Sequence, residues 1–260
     1  MLSEENLYHF TSFESAVKIL ASGELLLGTY ENFNDINEKY GPTVLAKEKD
    51  WGKIEALLKC WVALSFSMDV RTSGSVKRGY NNPVMWGSYA KAGKGVCLAF
   101  DKSKMLSVIA SDNHFYSREV EYFDDVDPNF FVYDSNRYGT AEAFINANKD
   151  EIFFHKKKEW EHENEFRVIA ISDEHPSLKI KDCLSGVILF YRDHKSFRES
   201  AEVKALSKFV GRRMVYRYTS AIDRFSLYDF YGRKLEPEDL YYDFSAVASP
   251  NISDQESEPD

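Results

Sequence analysis

Lys156-Lys-Lys-Glu-Trp-Glu-His-Glu-Asn-Glu-Phe-Arg-Val-Ile-Ala-Ile171 changes character in its middle. The first half is charged. From Phe166 onward the run is apolar and β-branched, which predicts a strand with Glu163 and Glu165 at its mouth. Residues two apart on a strand share a face. If the strand already begins at Glu163, the two acids aim at one spot, and Arg167 shares that face. Two carboxylates on one face repel, so one of them should have a raised pKa or a cationic partner. The residues leave several uses open. One acid can activate a nucleophile, or stand as a fixed charge beside an oxocarbenium ion. Equally, an acid can form an ordinary surface salt bridge with Arg167.

Working outward, short strands and helices are mixed without a regular βαβ alternation, and this predicts an α+β fold. Leu7–Phe10 is expected as a strand, followed by a helix capped by Thr11 or Ser12 and ended by Gly23. Further strands are expected at Glu24–Leu27, Cys60–Phe66, Gly95–Phe100, Tyr116–Phe123, after Glu165, at Leu184–Phe190 and at Met214–Tyr218. Helices are expected at Trp51–Lys59, Pro83–Ala90, Lys102–Ala110, Thr140 to about Glu161, and Phe197–Val210. Ser67–Asn82 is polar, contains glycine and is expected as a mobile loop. No internal repeat or linker divides the chain, so residues 1–246 are expected as one domain. The polar, acidic residues 247–260 are expected to be disordered.

The chain of 260 residues is 43% hydrophobic and rich in rings, with 19 Phe, 16 Tyr and 4 Trp, enough for a sizeable core. Its net charge of −9 gives no global basic field for nucleic acid. Local patches remain at Lys77-Arg78 and Lys156-Lys157-Lys158. Cys60, Cys97 and Cys183 form no CxxC pair, which argues for a reducing compartment and against zinc. Cys97 alternates with apolar neighbours and is expected buried in a strand. The N-terminus lacks a basic region followed by an apolar run, and no stretch is long enough to span a bilayer. A cytoplasmic protein is expected. GxGxxG, P-loop and HExxH spacings do not occur.

Two further stretches carry possible chemistry. In Leu7-Tyr8-His9-Phe10-Thr11-Ser12, a strand histidine can offer a ring nitrogen to a ribose hydroxyl, and the backbone of Tyr8 to Phe10 can pair with a flat amide. The same residues also fit a core histidine bonded to a carbonyl. In Asn82-Pro-Val-Met-Trp-Gly-Ser-Tyr89, Trp86 and Tyr89 are three apart and share a helix face, either to stack a ring or to pack in the core.

Four blocks together resemble a widespread bacterial family, the domain of unknown function 2971. They are Asn34-Asp35 with Glu38, Met85-Trp86 with Tyr89-Ala90, Gly95–Phe100, and Lys156-x3-Trp160-x2-Glu163-x-Glu165-x-Arg167. The resemblance spans about Leu7 to Ile171. It departs at Asp35-Ile36, where the family has Asp-Pro. Leu7–Ser12 with Ile19-Leu20, Gly23 and Leu25 is also similar to the start of the DNA-targeting ADP-ribosyltransferase toxins. That resemblance implies an ADP-ribosyltransferase-like fold of two small antiparallel sheets flanked by helices, with NAD as substrate and no metal. It implies His9 on the nicotinamide-side ribose and Tyr8–Phe10 on the carboxamide. Trp86 or Tyr89 would stack on nicotinamide, and Arg167 or Lys156 would hold pyrophosphate. Glu165 would stabilise the ribosyl cation and Glu163 would orient or deprotonate the acceptor, with their exchange open. The implied activity is transfer of ADP-ribose to nucleic acid or protein by a toxin or anti-phage effector, with a possible antitoxin. The alternatives are an NAD hydrolase or a catalytically silent nucleotide-binding module.

Overall fold

The computed structural model describes residues 2–235 apart from 4, 36–37, 39–43, 45, 74, 125–131, 172–175 and 222–223. The expected tail 247–260 and the last part of the expected 1–246 domain lie outside the described residues. The strands, in chain order, are β1 Asn6–Thr11, β2 Glu24–Leu26, β3 Gly28–Thr29, β4 Trp61–Met68, β5 Val70–Thr72, β6 Ser75–Lys77, β7 Val96–Asp101, β8 Phe115–Glu119, β9 Glu121–Phe123, β10 His155–Lys157, β11 Glu165–Ile171, β12 Ser177–Lys179, β13 Leu184–Phe190, β14 Val215–Ala221 and β15 Arg224–Tyr228. With the helices between them they make a mixed α+β fold.

Among the described residues, nine strands form one sheet in the order β15-β14-β13-β7-β1-β4-β11-β8, with β3 beside β4. Its pairs are antiparallel except β13–β14. The remaining strands make three two-stranded sheets. Val96 to Phe100 are fully enclosed because both faces of β7 are covered, so its sequence is continuously apolar rather than alternating. One face packs Leu64, Phe66, Leu98 and Val168 under helices that supply Ala16, Met105, Val203 and Leu206. The opposite face carries two separate clusters. One centres on Trp86, Tyr216 and Tyr218, the other on Trp61, Phe144 and Phe153. Polar residues occupy the space between them.

The two small antiparallel sheets expected from the resemblance are instead one large sheet with a weak seam. β1 pairs with β7 along its whole length, from Asn6↔Asp101 to Thr11↔Val96. It meets β4 only at Leu7↔Met68 and Tyr8↔Ser67. Beyond Tyr8 the strands part, and β3 takes the far end of β4 at Gly28↔Ala63 and Thr29↔Val62. Leu64 to Phe66 lie between these two pairings, at the opening of a cleft.

The helix Phe13–Ser22 forms as its sequence predicts: Ser12 Oγ accepts from Ser15 N at 3.1 Å, and Gly23, at φ 71°, donates to Ile19 O at 2.8 Å. Ser67–Asn82 is not the expected loop. β5 and β6 form a hairpin there, and the Asp69 carboxylate ties its return by accepting from Arg78 Nη1 at 2.8 Å and Gly79 N at 2.9 Å. Nor is Thr140–Glu161 one helix. Helices Ala141–Ala147 and Lys149–Phe153 are followed by β10 and a 3-10 segment, Lys158–Glu163. Asn148 breaks the run by turning its side-chain amide onto Phe144 O at 2.7 Å. The Phe197–Val210 helix is likewise two helices, divided at Ser200, which caps the second. β3, β12 and β15 are short or half-polar and carried no periodic signal. No helix among the described residues is long and apolar enough to cross a membrane.

Candidate active site

A cavity of about 270 Å³ opens at the β1–β4 seam. His9, Ser65, Tyr89, Lys156, Glu163 and Glu165 line its polar side, and Leu26, Phe33 and Met85 its apolar side. These residues come from distant parts of the chain, so the sheet topology assembles the site.

β11 starts at Glu165, and Glu163 ends the preceding 3-10 segment. The expected strand alternation therefore does not align the two acids. Asn164 between them is left-handed, at φ 42° and ψ 61°, and its amide donates to Met68 O at 3.0 Å. Asparagine tolerates this conformation better than most residues. Both acids still reach one cation: Lys156 Nζ lies 2.6 Å from Glu163 Oε2 and 3.4 Å from Glu165 Oε2.

Glu165 is gripped on both oxygens. Oε1 accepts from Arg167 Nε at 2.6 Å and from Ser65 Oγ at 2.6 Å, and Oε2 accepts from Arg167 Nη2 at 2.8 Å. Arg167 is 1% exposed and also donates to Phe153 O at 2.7 Å and pairs with Glu38. Burial alone would raise the Glu165 pKa, but the charges of Arg167 and Lys156 override it and hold the group at about 2. Burial wins at Glu38, which stays above the usual carboxylate range although Arg167 and Lys156 pull it down. Burial would lower the Lys156 ammonium, and the surrounding glutamates more than offset it. Three carboxylates thus face two cations, one net negative charge when all are ionised.

Tyr89 OH donates to Glu163 Oε1 at 2.5 Å. Burial and the charge of Glu163 push its phenol well up. His9 Nδ1 lies 3.2 Å from Ser65 O. A carbonyl only accepts, so this contact fixes the proton on Nδ1 and leaves Nε2 as the acceptor. Burial lowers the His9 pKa and keeps the ring neutral.

His9, Tyr89, Glu163 and Glu165 therefore meet at one cavity, with Lys156. Tyr8 and Phe10 also line it, but their rings pack edge-on against Tyr80 and Trp86. Trp86 does not line it. Its indole stacks on Tyr218 at 5.5 Å and donates to Tyr80 O at 2.7 Å. Arg167 lies behind Glu165, fully engaged, so the bridge expected at the surface is buried. The expected basic patches are broken up: Arg78 is buried against Asp69, Lys156 belongs to the cavity, and Lys158 bridges to Asp124 at 3.0 Å. Lys77 and Lys157 are exposed. Ser65 and Glu38 are partners that the sequence reading missed or gave no role. Ser65 was visible as a hydroxyl interrupting the apolar run Trp61–Met68, and Glu38 as part of the Asn34–Glu38 block. Cys97 is buried in β7 as expected. No group of His, Cys, Asp and Glu suited to a metal ion occurs among the described residues.

The family described as Protein of unknown function (DUF2971) matches residues 85–168. This part of the chain is similar to that family, and it takes in Tyr89, Lys156, Glu163, Glu165 and Arg167. The match is narrower than the resemblance read from the four blocks, since His9 and Glu38 fall outside it. No curated protein and no solved structure matches the chain.

Proposed function

We propose that the cavity binds the nicotinamide riboside end of NAD and cleaves the glycosidic bond, passing ADP-ribose to a macromolecular acceptor. The observation that carries this reading is the meeting of Glu163, Glu165, His9 and Tyr89 at one largely apolar cavity, where the carboxylates outnumber their cations three to two. Carboxylates fixed beside a low-dielectric pocket favour a ligand that is, or becomes, cationic. Oxidised nicotinamide is such a group, and so is the ribosyl oxocarbenium ion left when it departs.

Glu165, held at about 2, is a poor base at neutral pH. Its role is that of a fixed charge beside C1′ of the ribose. Glu163 shares one oxygen with the Tyr89 hydroxyl and the other with Lys156, and it orients the acceptor. His9 presents Nε2 to a ribose hydroxyl, and Met85 and Phe33 flank the ring. About 270 Å³ holds the nicotinamide riboside end and not a whole dinucleotide, so the pyrophosphate extends through the mouth past Leu26. A likeness to the ADP-ribosyltransferase fold, with the β1–β4 seam standing for the gap between its two sheets, and a role as toxin or anti-phage effector belong to the same reading and rest on resemblance.

One observation favours a second reading. Both Glu165 oxygens are already taken by Arg167 and Ser65, as in a purely structural ion pair. A silent nucleotide-binding module would use the same cavity without turnover.

NAD labelled in its adenylate part, incubated with the protein and cell lysate, separates the readings. Transfer of label by wild type, lost in Glu163→Gln with melting temperature retained, supports the transferase. Free nicotinamide without transferred label indicates a hydrolase. NAD binding without either product leaves the silent module.

A further inference from the structure

Charge is distributed unevenly along this chain. Residues 191–235 hold eleven Lys and Arg against five Asp and Glu, a net of +6, while the rest of the chain carries −15. A window this basic inside an acidic protein is a local electrostatic footprint. Arg192, Lys195, Arg198, Lys204, Lys208, Arg212, Arg213, Arg233 and Lys234 are all exposed, and only Asp193, Glu199 and Glu202 are exposed acids among the described residues of the segment.

The fold draws part of this charge together. The helices His194–Glu199 and Ala201–Val210 bury Phe197, Val203 and Leu206 and turn their cations outward. Arg198 and Arg212, on different segments, both lie over the Phe230 ring, at 6.0 and 5.3 Å. Tyr231 packs edge-on against Phe230 with ring centroids 5.5 Å apart and stays 56% exposed. Phe209, on the second helix, is 47% exposed. Two guanidinium groups held by one ring, beside an exposed tyrosine, bring together a phosphate-binding fork and a base-stacking surface.

We infer that this face binds single-stranded nucleic acid, with Arg198 and Arg212 on the phosphates and Tyr231 stacked on a base. The exposed rings favour an unpaired strand over a duplex, whose bases are already stacked. Arginine predominates among the cations nearest the rings, which favours phosphate geometry over a diffuse charge attraction. The surface is independent of the cavity and requires no NAD.

The test is fluorescence anisotropy of labelled oligo(rU), oligo(dT) and a DNA duplex over a salt series, using the full chain. Wild type binds the single strands with an affinity that falls linearly in log salt. The Arg198→Glu, Arg212→Glu double variant weakens binding by at least about tenfold and flattens the salt slope by about 1.4, as expected for two lost phosphate contacts on a single strand. Tyr231→Ala weakens oligo(rU) and oligo(dT) more than the duplex. The Lys53→Glu, Lys104→Glu double variant, an equal charge change on exposed helix positions outside the segment, leaves binding within twofold. Absence of salt-dependent binding, equal losses in the two double variants, or binding to phosphatidylserine vesicles in preference to either oligonucleotide would overturn the inference.

Discussion

At the cavity, Lys156 and Arg167 are enclosed by Glu38, Glu163 and Glu165; among the described residues of 191–235, nine exposed cations stand beside three exposed acids. The difference is one of solvent. A charge removed from water must be paired and hydrogen-bonded, so the buried group is nearly balanced and its geometry is fixed. A charge left in water has no such requirement, so the outer segment tolerates a large imbalance, screened by counterions. The first arrangement suits recognition of one small ligand, the second a repeating backbone.

The comparison is broken most severely from the inside. Glu165→Gln leaves Arg167 without its bidentate partner and should destabilise the fold by about 3–5 kcal/mol, measured by urea denaturation. Reversing exposed charges should cost far less: the Arg198→Glu, Arg212→Glu variant should keep its unfolding free energy within about 0.5 kcal/mol of wild type while losing nucleic acid. Equal destabilisation by the two changes would erase the distinction between the regions.

Tyr89→Phe removes one hydrogen bond to Glu163 and should cost about 1 kcal/mol, with a larger effect on NAD turnover than on stability. The pH dependence sharpens the contrast further. The folded Glu165 pKa lies at about 2 against an ordinary 4.5, so the stability it lends is complete above about pH 4.5 and is lost as the pH falls toward 2. The lowered pKa of His9 acts in the same direction at higher pH, removing stability as the pH falls below its ordinary 6.5. Stability curves of His9→Gln should be flatter than wild type just below pH 6.5 and should retain the acid limb that belongs to Glu165. Salt completes the series: 0.5 M NaCl should release nucleic acid but scarcely change the melting temperature, because the screening length shrinks to a few ångströms in water and buried pairs are screened much less.

The sequence revealed elements whose signal is local. The helix after Ser12 has its cap, its apolar spacing and its terminal glycine within a dozen residues, and the strand after Glu165 is marked by β-branched residues. It misled where two local signals overlapped. Phe144, Ile145, Ile152 and Phe153 share a buried cluster at helical spacing, although Asn148 divides them into two helices. The acids were singled out by strand alternation, which the structure does not show between them, while the cationic partner that their repulsion called for is present as Lys156. A left-handed Asn164 brings them to Lys156, and no strand period does so. The resemblance implied Arg167 or Lys156 for pyrophosphate, and nothing local in the sequence shows that Glu38, more than a hundred residues upstream, pairs with both. The basic segment was overlooked because its charges are spaced along two helices and two strands rather than run together, and a windowed charge count would have found it.

The most direct test of the cavity's role is proton NMR of NAD incubated with the purified chain, following the free nicotinamide ring signals over time. NAD chemistry at this site predicts nicotinamide release by wild type, and its loss in Glu163→Gln and Tyr89→Phe at unchanged fold. Intact NAD with unperturbed linewidths, in the presence of folded wild-type protein and lysate, would contradict it.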